Sequence, residues 1–333
     1  MIIQTLHPGE LVELFSVTSG DPAAAVDGAP VVLVDAGLGA TPPGWTPGSV
    51  PVVVVGVTDR DDVDPSPYDV LLAGDDPLLD PLLAAVARRP VAATALAVLL
   101  RASDQRSVED GLAAESAVYS TLQAGPDFGR WLQSRPSPRP AAPDDRPVLV
   151  ERDGDRLVVT LNRPHRHNAV NEPLRAALVD ALSVAVADES VRVELRGAGP
   201  SFSSGGDLAE FGAFPDPATA HVSRLTRSPG RLVSLLAPRC SAFLHGACMG
   251  AGIEVAAFAG RVVADPAAVI SLPELGIGLV PGAGGTVSIP ARIGRHRTAL
   301  MALSTRPIPA TTALEWGLVD ELRPVTPNSG LVG

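Results

Sequence analysis

Apolar and polar residues alternate at Leu157, Val159 and Leu161 and again at Val191, Val193 and Leu195, the period of a half-buried strand. Between them Asn171 precedes Pro173 as a helix start, and Leu174, Ala177, Leu178, Ala181, Leu182 and Ala185 recur at helical spacing. Strand, helix and strand joined this way predict a right-handed βαβ unit. A second set follows: a strand near 239–245, a Gly-rich turn, a helix near 251–259 and a short strand at 261–264. The pattern nearer the N-terminus is less regular. Val31–Val34 and Val52–Val57 read as buried strands, Tyr68–Ala73 as a third, and 78–101 and 107–133 as helical. Residues 134–147 hold five prolines and no apolar period, which predicts an extended linker between an N-terminal and a C-terminal part. The fold class is therefore α/β.

Composition narrows the function. The 333 residues allow one large domain or two modest ones. The net charge of −11 and the absence of a basic stripe argue against a nucleic-acid partner. All 26 basic residues are Arg, so neither lysine Schiff-base nor P-loop chemistry is available. No glycine fingerprint joins the N-terminal strands to their helices, which argues against a dinucleotide site. Cys240 and Cys248 lie in apolar context and read as buried thiols, with no metal site expected. The first residues lack a charged and then apolar leader, and no run has spanning character, so the expected location is cytoplasmic, with no membrane partner.

Three local strings carry candidate chemistry. Phe202-Ser203-Ser204-Gly205-Gly206-Asp207-Leu208 follows a strand. His245-Gly246-Ala247-Cys248-Met249-Gly250-Ala251-Gly252-Ile253-Glu254 joins a strand to a helix. Leu272-Pro273-Glu274-Leu275-Gly276 leads into Pro281-Gly282-Ala283-Gly284-Gly285-Thr286. Small residues after a strand let backbone N–H groups face a ligand. A helix beginning near Ala251 leaves its first N–H groups unpaired at its positive end. Two such groups from separate loops can hold a developing oxyanion. Glu254 and Glu274 stand in apolar surroundings, where a carboxylate is costly unless paired or functional, and two carboxylates can add and remove protons. Asp207 reads as a helix cap and His245 as a structural hydrogen-bonding residue. Ser203 and Ser204 lack an evident triad.

Together with Asn162-Arg163-Pro164, Asn168-Ala169 and Trp316-Gly317-Leu318-Val319-Asp320, these strings resemble the enoyl-CoA hydratase/isomerase (crotonase) superfamily over about residues 148–322. The resemblance implies a crotonase-like ββα spiral core over 148–333, following an N-terminal α/β and helical segment. It implies Gly206 and Ala251 as oxyanion-hole donors, Ala251 standing where relatives usually carry Gly. It implies Glu254 and Glu274 as paired catalytic glutamates, and contact with coenzyme A from Gly206, Asp207, Leu208 and Ala209 and from the turn His165, Arg166 and His167. The substrate implied is an acyl-CoA thioester, most simply a 2-enoyl-CoA to be hydrated or isomerised. No cofactor is implied, because coenzyme A arrives with the substrate. Residues 218–236 are expected to supply part of the acyl pocket. The implied assembly is a homo-oligomer, a trimer or hexamer. The alternative is a non-catalytic paralogue that binds acyl-CoA or serves as a structural partner subunit.

A second resemblance lies ahead of the core. Residues 79–133 resemble the helices that crotonases carry after the Gly-Leu-Val segment, in a permuted arrangement or as the remnant of a duplicated domain. Leu82, Leu83, Val86, Leu96, Leu99 and Leu112 supply apolar faces, so these helices are expected to dock on the core and help form the oligomer. Residues 1–78 form a small α/β segment to which no role is assigned.

Overall fold

A computed structural model describes residues 5–15, 30–48, 50–136, 145–213 and 216–327. The middle of the proline-rich stretch, 137–144, lies outside the described residues.

The chain opens with β1 (Thr5–Leu6), α1 (Pro8–Leu14), β2 (Val31–Asp35), β3 (Val53–Val57) and β4 (Val70–Leu72). These strands form a parallel sheet in the order β1-β2-β3-β4. Val31, Val32, Val34 and Val52–Val55 are buried, as continuous valine runs in a parallel sheet should be. Helices α2 (Leu79–Arg88) and α3 (Pro90–Arg101) follow, bent by 112° at their junction. Then come α4 (Val108–Gln123) and α5 (Pro126–Ser134). The apolar period runs on through Pro90 and Pro126, but each proline begins a new helix because its ring removes an N–H and clashes with the preceding turn. The two helical spans expected from the sequence are therefore four helices. No single helix among the described residues is long and apolar enough to cross a membrane.

The second part contains β5 (Val148–Asp153), β6 (Arg156–Leu161), α6 (Glu172–Ala187), β7 (Arg192–Gly197), α7 (Pro217–Thr226) and α8 (Pro229–Leu236). It continues with β8 (Cys240–Leu244), β9 (Ala247–Met249), α9 (Ala251–Ala256), β10 (Arg261–Ala264) and β11 (Val269–Ser271). It ends with α10 (Gly285–Ser304), broken at Gly294, then β12 (Ile308–Pro309), α11 (Ala310–Trp316) and β13 (Glu321–Leu322). A six-stranded sheet has the order β13-β10-β8-β7-β6-β5, and a three-stranded sheet the order β12-β11-β9. Strand β8 lies in the large sheet and β9 in the small one, and α9 follows; β10, β11 and α10 repeat the pattern. This is the ββα spiral that the resemblance implied. Helical residues 218–236 are again two helices, separated at Pro229.

The N-terminal helices pack on this core. Helices α2 and α3 lie against α10, and α4 lies against α7, α8 and α10. Leu82, Val86, Leu96 and Leu100 share one buried cluster with Leu244, Ile253 and Ile289. Arg295 of α10 donates to the Tyr68 and Ser66 carbonyls, tying the N-terminal sheet to the same helix.

The most specific joint is at the start of α10. Four successive N–H groups there meet two carboxylates alternately. Ala283 and Gly285 donate to Glu254 Oε2 at 2.7 and 2.9 Å. Gly284 donates to Glu115 Oε1 at 2.6 Å, and Thr286 donates both its N–H and its hydroxyl to Glu115 Oε2 at 2.8 Å. A helix start with no partner of its own is satisfied from both sides, and both carboxyls face its positive end. Glycine lets the flanking groups approach: a Cβ on Gly285 would sit 2.7 Å from Glu254 Cγ, and one on Gly282 would sit 2.5 Å from the Tyr119 ring.

Glu115→Ala would leave two buried N–H groups without an acceptor, at about 1–3 kcal/mol for each such group before water enters. The expected result is a loss of about 1–3 kcal/mol overall in denaturant unfolding, water in the vacated space offsetting the rest. An unchanged unfolding midpoint and slope would show that α4 is not held to α10 by this carboxylate.

Candidate active site

The loop after β7 is fixed by polar groups buried beneath it. Asn168 is fully buried; its amide donates to the Ala198 and Ser201 carbonyls at 2.8 Å and its carbonyl accepts from Arg163 N–H at 2.7 Å. Arg163, also buried, pairs with Asp207 at 3.0 Å. Val170 N–H donates to Gly205 O at 2.7 Å and Asp207 N–H to Val170 O at 3.0 Å, bracketing Gly206. On the other side Ser203 N–H donates to Ala247 O and Met249 N–H to Ser203 O, which joins the loop to β9 and the start of α9.

Among the described residues, neither the Gly206 nor the Ala251 N–H meets a protein acceptor. Both residues line one cavity of about 640 Å³, together with Glu254, Glu274 and Glu115. Glu274 follows β11, and its Oε1 lies so close to Gly250 that a Cβ there would sit 2.4 Å from it. Its carboxyl therefore stands beside the residue preceding Ala251.

The two glutamates occupy different environments. Glu254 is buried, and burial pushes its carboxyl up to about 7, against the opposing pull of the Ala283 and Gly285 N–H groups. Glu274 is partly exposed as a residue, yet its Oε2 is shielded from solvent and has no hydrogen-bond partner among the described residues. Burial and then the Glu254 charge raise it well above the ordinary carboxylate value. Glu115 is pushed up to about 8 by burial and by Glu254, with Thr286 and Gly284 opposing. Three carboxyls so close in a dry site cannot all ionise. Glu254 is favoured as the anion and Glu274 as the acid. That separation is the general signature of an acid and base pair.

Other residues singled out from sequence fall less centrally. Asp207 lines the cavity but also caps a short 3-10 turn, accepting from Ala209 N–H at 3.0 Å. Leu208, Ala209, His165, Arg166 and His167 lie outside the cavity lining. His167 Nδ1 is 2.8 Å from Ser201 Oγ. His245 Nε2 is 2.9 Å from the Gly199 carbonyl, the structural bond expected of it. Ser203 is buried and donates to the Asn168 carbonyl. The Cys240 and Cys248 thiols are both buried and raised by desolvation.

Among the cavity residues not anticipated are Glu115 and Tyr119 of α4 and Arg224 of α7. The signal for the α4 pair was a carboxylate on the apolar stripe Leu112, Glu115, Tyr119 and Leu122, where a solvated residue would interrupt the buried face.

Comparison with known proteins establishes the family of the chain. The family model described as enoyl-CoA hydratase/isomerase matches residues 153–328. The 2,3-dehydroadipyl-CoA hydratase of Escherichia coli is 35% identical over 178 residues, which is 53% of this chain and 69% of that protein. The mevalonyl-coenzyme A hydratase SIDH of Beauveria bassiana is 35% identical over 183 residues, which is 50% of this chain and 63% of that protein. The crystal structure of an enoyl-CoA hydratase from Bacillus anthracis superposes with a TM-score of 0.50 at 28% identity, covering 54% of this chain and 71% of that one. The chain thus spans about two thirds of the length of the curated relatives it matches, and α1–α5 lie outside the matched residues. The chain belongs to the enoyl-CoA hydratase/isomerase family.

Proposed function

We propose that this protein adds water across the double bond of a 2-enoyl-CoA thioester. The observation that carries the reading is the juxtaposition, in one cavity, of two unpartnered N–H groups with two carboxyls of unlike environment. The thioester oxygen accepts from Gly206 and Ala251. Glu254, held anionic by Ala283 and Gly285, takes a proton from water as its oxygen bonds to the β-carbon. The electron pair of the double bond moves toward the thioester, and the charge that develops there is met by the two N–H groups. Glu274 delivers its proton to the α-carbon. One proton is gained and one lost, and a transfer between the two glutamates restores the site. Each oxyanion donor contributes roughly 10²–10³-fold in rate where measured elsewhere.

Isomerisation of the double bond would use the same groups without water. The homo-oligomer implied by the family, a trimer or hexamer, and contact between coenzyme A and the 165–167 turn are part of the same reading.

Hydration of crotonyl-CoA by the purified protein, followed by loss of the enoyl absorbance, tests the activity. Glu254→Gln and Glu274→Gln are each expected to lower turnover by about 10²–10⁴-fold, with thioester binding largely kept. Native turnover in both variants would rule out the two-glutamate mechanism.

The same assignment fixes a pH profile. Glu254 acts as its anion and is raised to about 7, so kcat/KM should rise with pH through that region. Glu274 acts as its acid, so activity should fall at higher pH as it ionises. A profile flat down to the ordinary carboxylate value of 4.5 would contradict the roles given to the pair.

A further inference from the structure

The cavity holds a charge that the mechanism does not use. Arg224 of α7 lines it, turned toward α4. Its Nε donates to Ser116 Oγ at 3.0 Å. Nη1 donates to Gln123 Oε1 at 3.4 Å, and Nη2 to the Ser116 carbonyl at 3.4 Å and to Ser120 Oγ. Its Cζ stands 4.7 Å from the centre of the Tyr119 ring. Each of these hydrogen-bond partners is uncharged, and among the described residues no carboxylate forms an ion pair with Arg224. Of the other arginines that line the cavity, Arg227 pairs with Glu172, and Arg175 is attracted to the Glu210 carboxylate. Arg239 also bonds only neutral groups, but those are carbonyls outside this cavity.

The ionisable groups acting on Arg224 are Tyr119, Glu115 and Arg175. Burial disfavours its charge, and so does Arg175; Tyr119 and Glu115 favour it. Glu115 is already committed to the start of α10. Arg224 is half-buried, and a guanidinium partly withdrawn from water without a counter-charge is disfavoured. In a substrate cavity, the anion that offsets this cost can be the ligand's own.

Position selects which part of the ligand. Tyr119, beneath the guanidinium, packs on Gly282, and the next residue, Ala283, holds Glu254. Between Arg224 and Glu254 stand the Tyr119 ring and the Gly282–Ala283 backbone. The phosphates of coenzyme A lie a whole pantetheine arm away from the thioester carbon. An anion that reaches Arg224 while the thioester sits at Gly206 and Ala251 belongs to the acyl group.

We propose that Arg224 binds a carboxylate carried by the acyl chain, so that the substrate is the coenzyme A thioester of a dicarboxylic acid. This rests on the acyl-CoA reading given above. A methyl-ended chain would displace water from Arg224 and return no charge, which gives discrimination by a penalty on the wrong ligand.

The test is calorimetric binding of succinyl-, glutaryl- and adipyl-CoA against butyryl-, pentanoyl- and hexanoyl-CoA to the full-length protein. At least one carboxylated thioester should bind about ten- to a hundredfold more tightly than its methyl-ended counterpart. Arg224→Gln should erase that difference, and Arg224→Lys should keep part of it. Loss of a mere strut between α7 and α4 would weaken both series alike and leave the ratio standing, which would overturn the proposal. Equal affinities in the native protein would overturn it without any variant. If Arg224→Gln weakens both series of CoA thioesters alike and leaves their dephospho-CoA counterparts unaffected, the anion at Arg224 is the nucleotide phosphate and the acyl assignment fails. Hydration of crotonyl-CoA with no preference for a carboxylate sinks this inference and leaves the activity intact. Absence of both hydration and thioester binding sinks the activity and this inference together.

Discussion

The structure depends on how the chain satisfies the buried N–H groups from Ala283 to Thr286. A helix start left unpaired in the interior would cost about 1–3 kcal/mol for each donor. Here two carboxylates approach from opposite sides and take the donors alternately, Glu254 from α9 and Glu115 from α4. Neither carboxylate would be tolerated in this apolar region without those donors, and the donors would be orphaned without the carboxylates. Because each side needs the other, small departures from this geometry are resisted, and Glu254 is held in one orientation toward the cavity. Burial, and then the Glu254 charge, raise the Glu274 carboxyl well above the ordinary carboxylate value. Two chemically identical side chains are thus placed in unlike environments.

That constraint also makes the N-terminal helices part of the site. Helix α4 supplies Glu115 to the start of α10, the Tyr119 ring to the cavity wall, and the four hydrogen-bond acceptors around Arg224. The segment that the family match leaves out is therefore a wall of the cavity. Its four helices bury leucines and valines in the same cluster as the core strands, so docking is driven by apolar area while the buried glutamate fixes its register.

Much of the site was legible in the sequence because its parts are local strings. Glycine-rich turns at strand ends, with a glutamate three residues past Ala251 and another before Leu275, announce themselves without knowledge of what lies opposite. Strands were legible from valine runs and alternation. Helix ends were less so: the apolar period crosses Pro90, Pro126 and Pro229, and only the stereochemistry of proline divides it. Glu115 was not legible as a site residue, because its partners are 169 and 171 positions away and nothing in its neighbourhood names them. Arg224 is a similar case, since an arginine on a mixed helix reads as solvated until α4 is placed over it. The turn at His165 to His167 shows the opposite limit: its resemblance drew attention to it, while the cavity lining does not include it.

The N–H groups from Ala283 to Thr286 are held from both sides by Glu254 and Glu115. Amide hydrogen exchange on the full-length protein, resolved to residues 282–287, measures this directly. These amides are expected to exchange as slowly as those of the central strands β7 and β8, opening only when the whole molecule unfolds. Rapid exchange at Gly284 and Thr286 while β7 and β8 stay protected would show that Glu115 does not hold them.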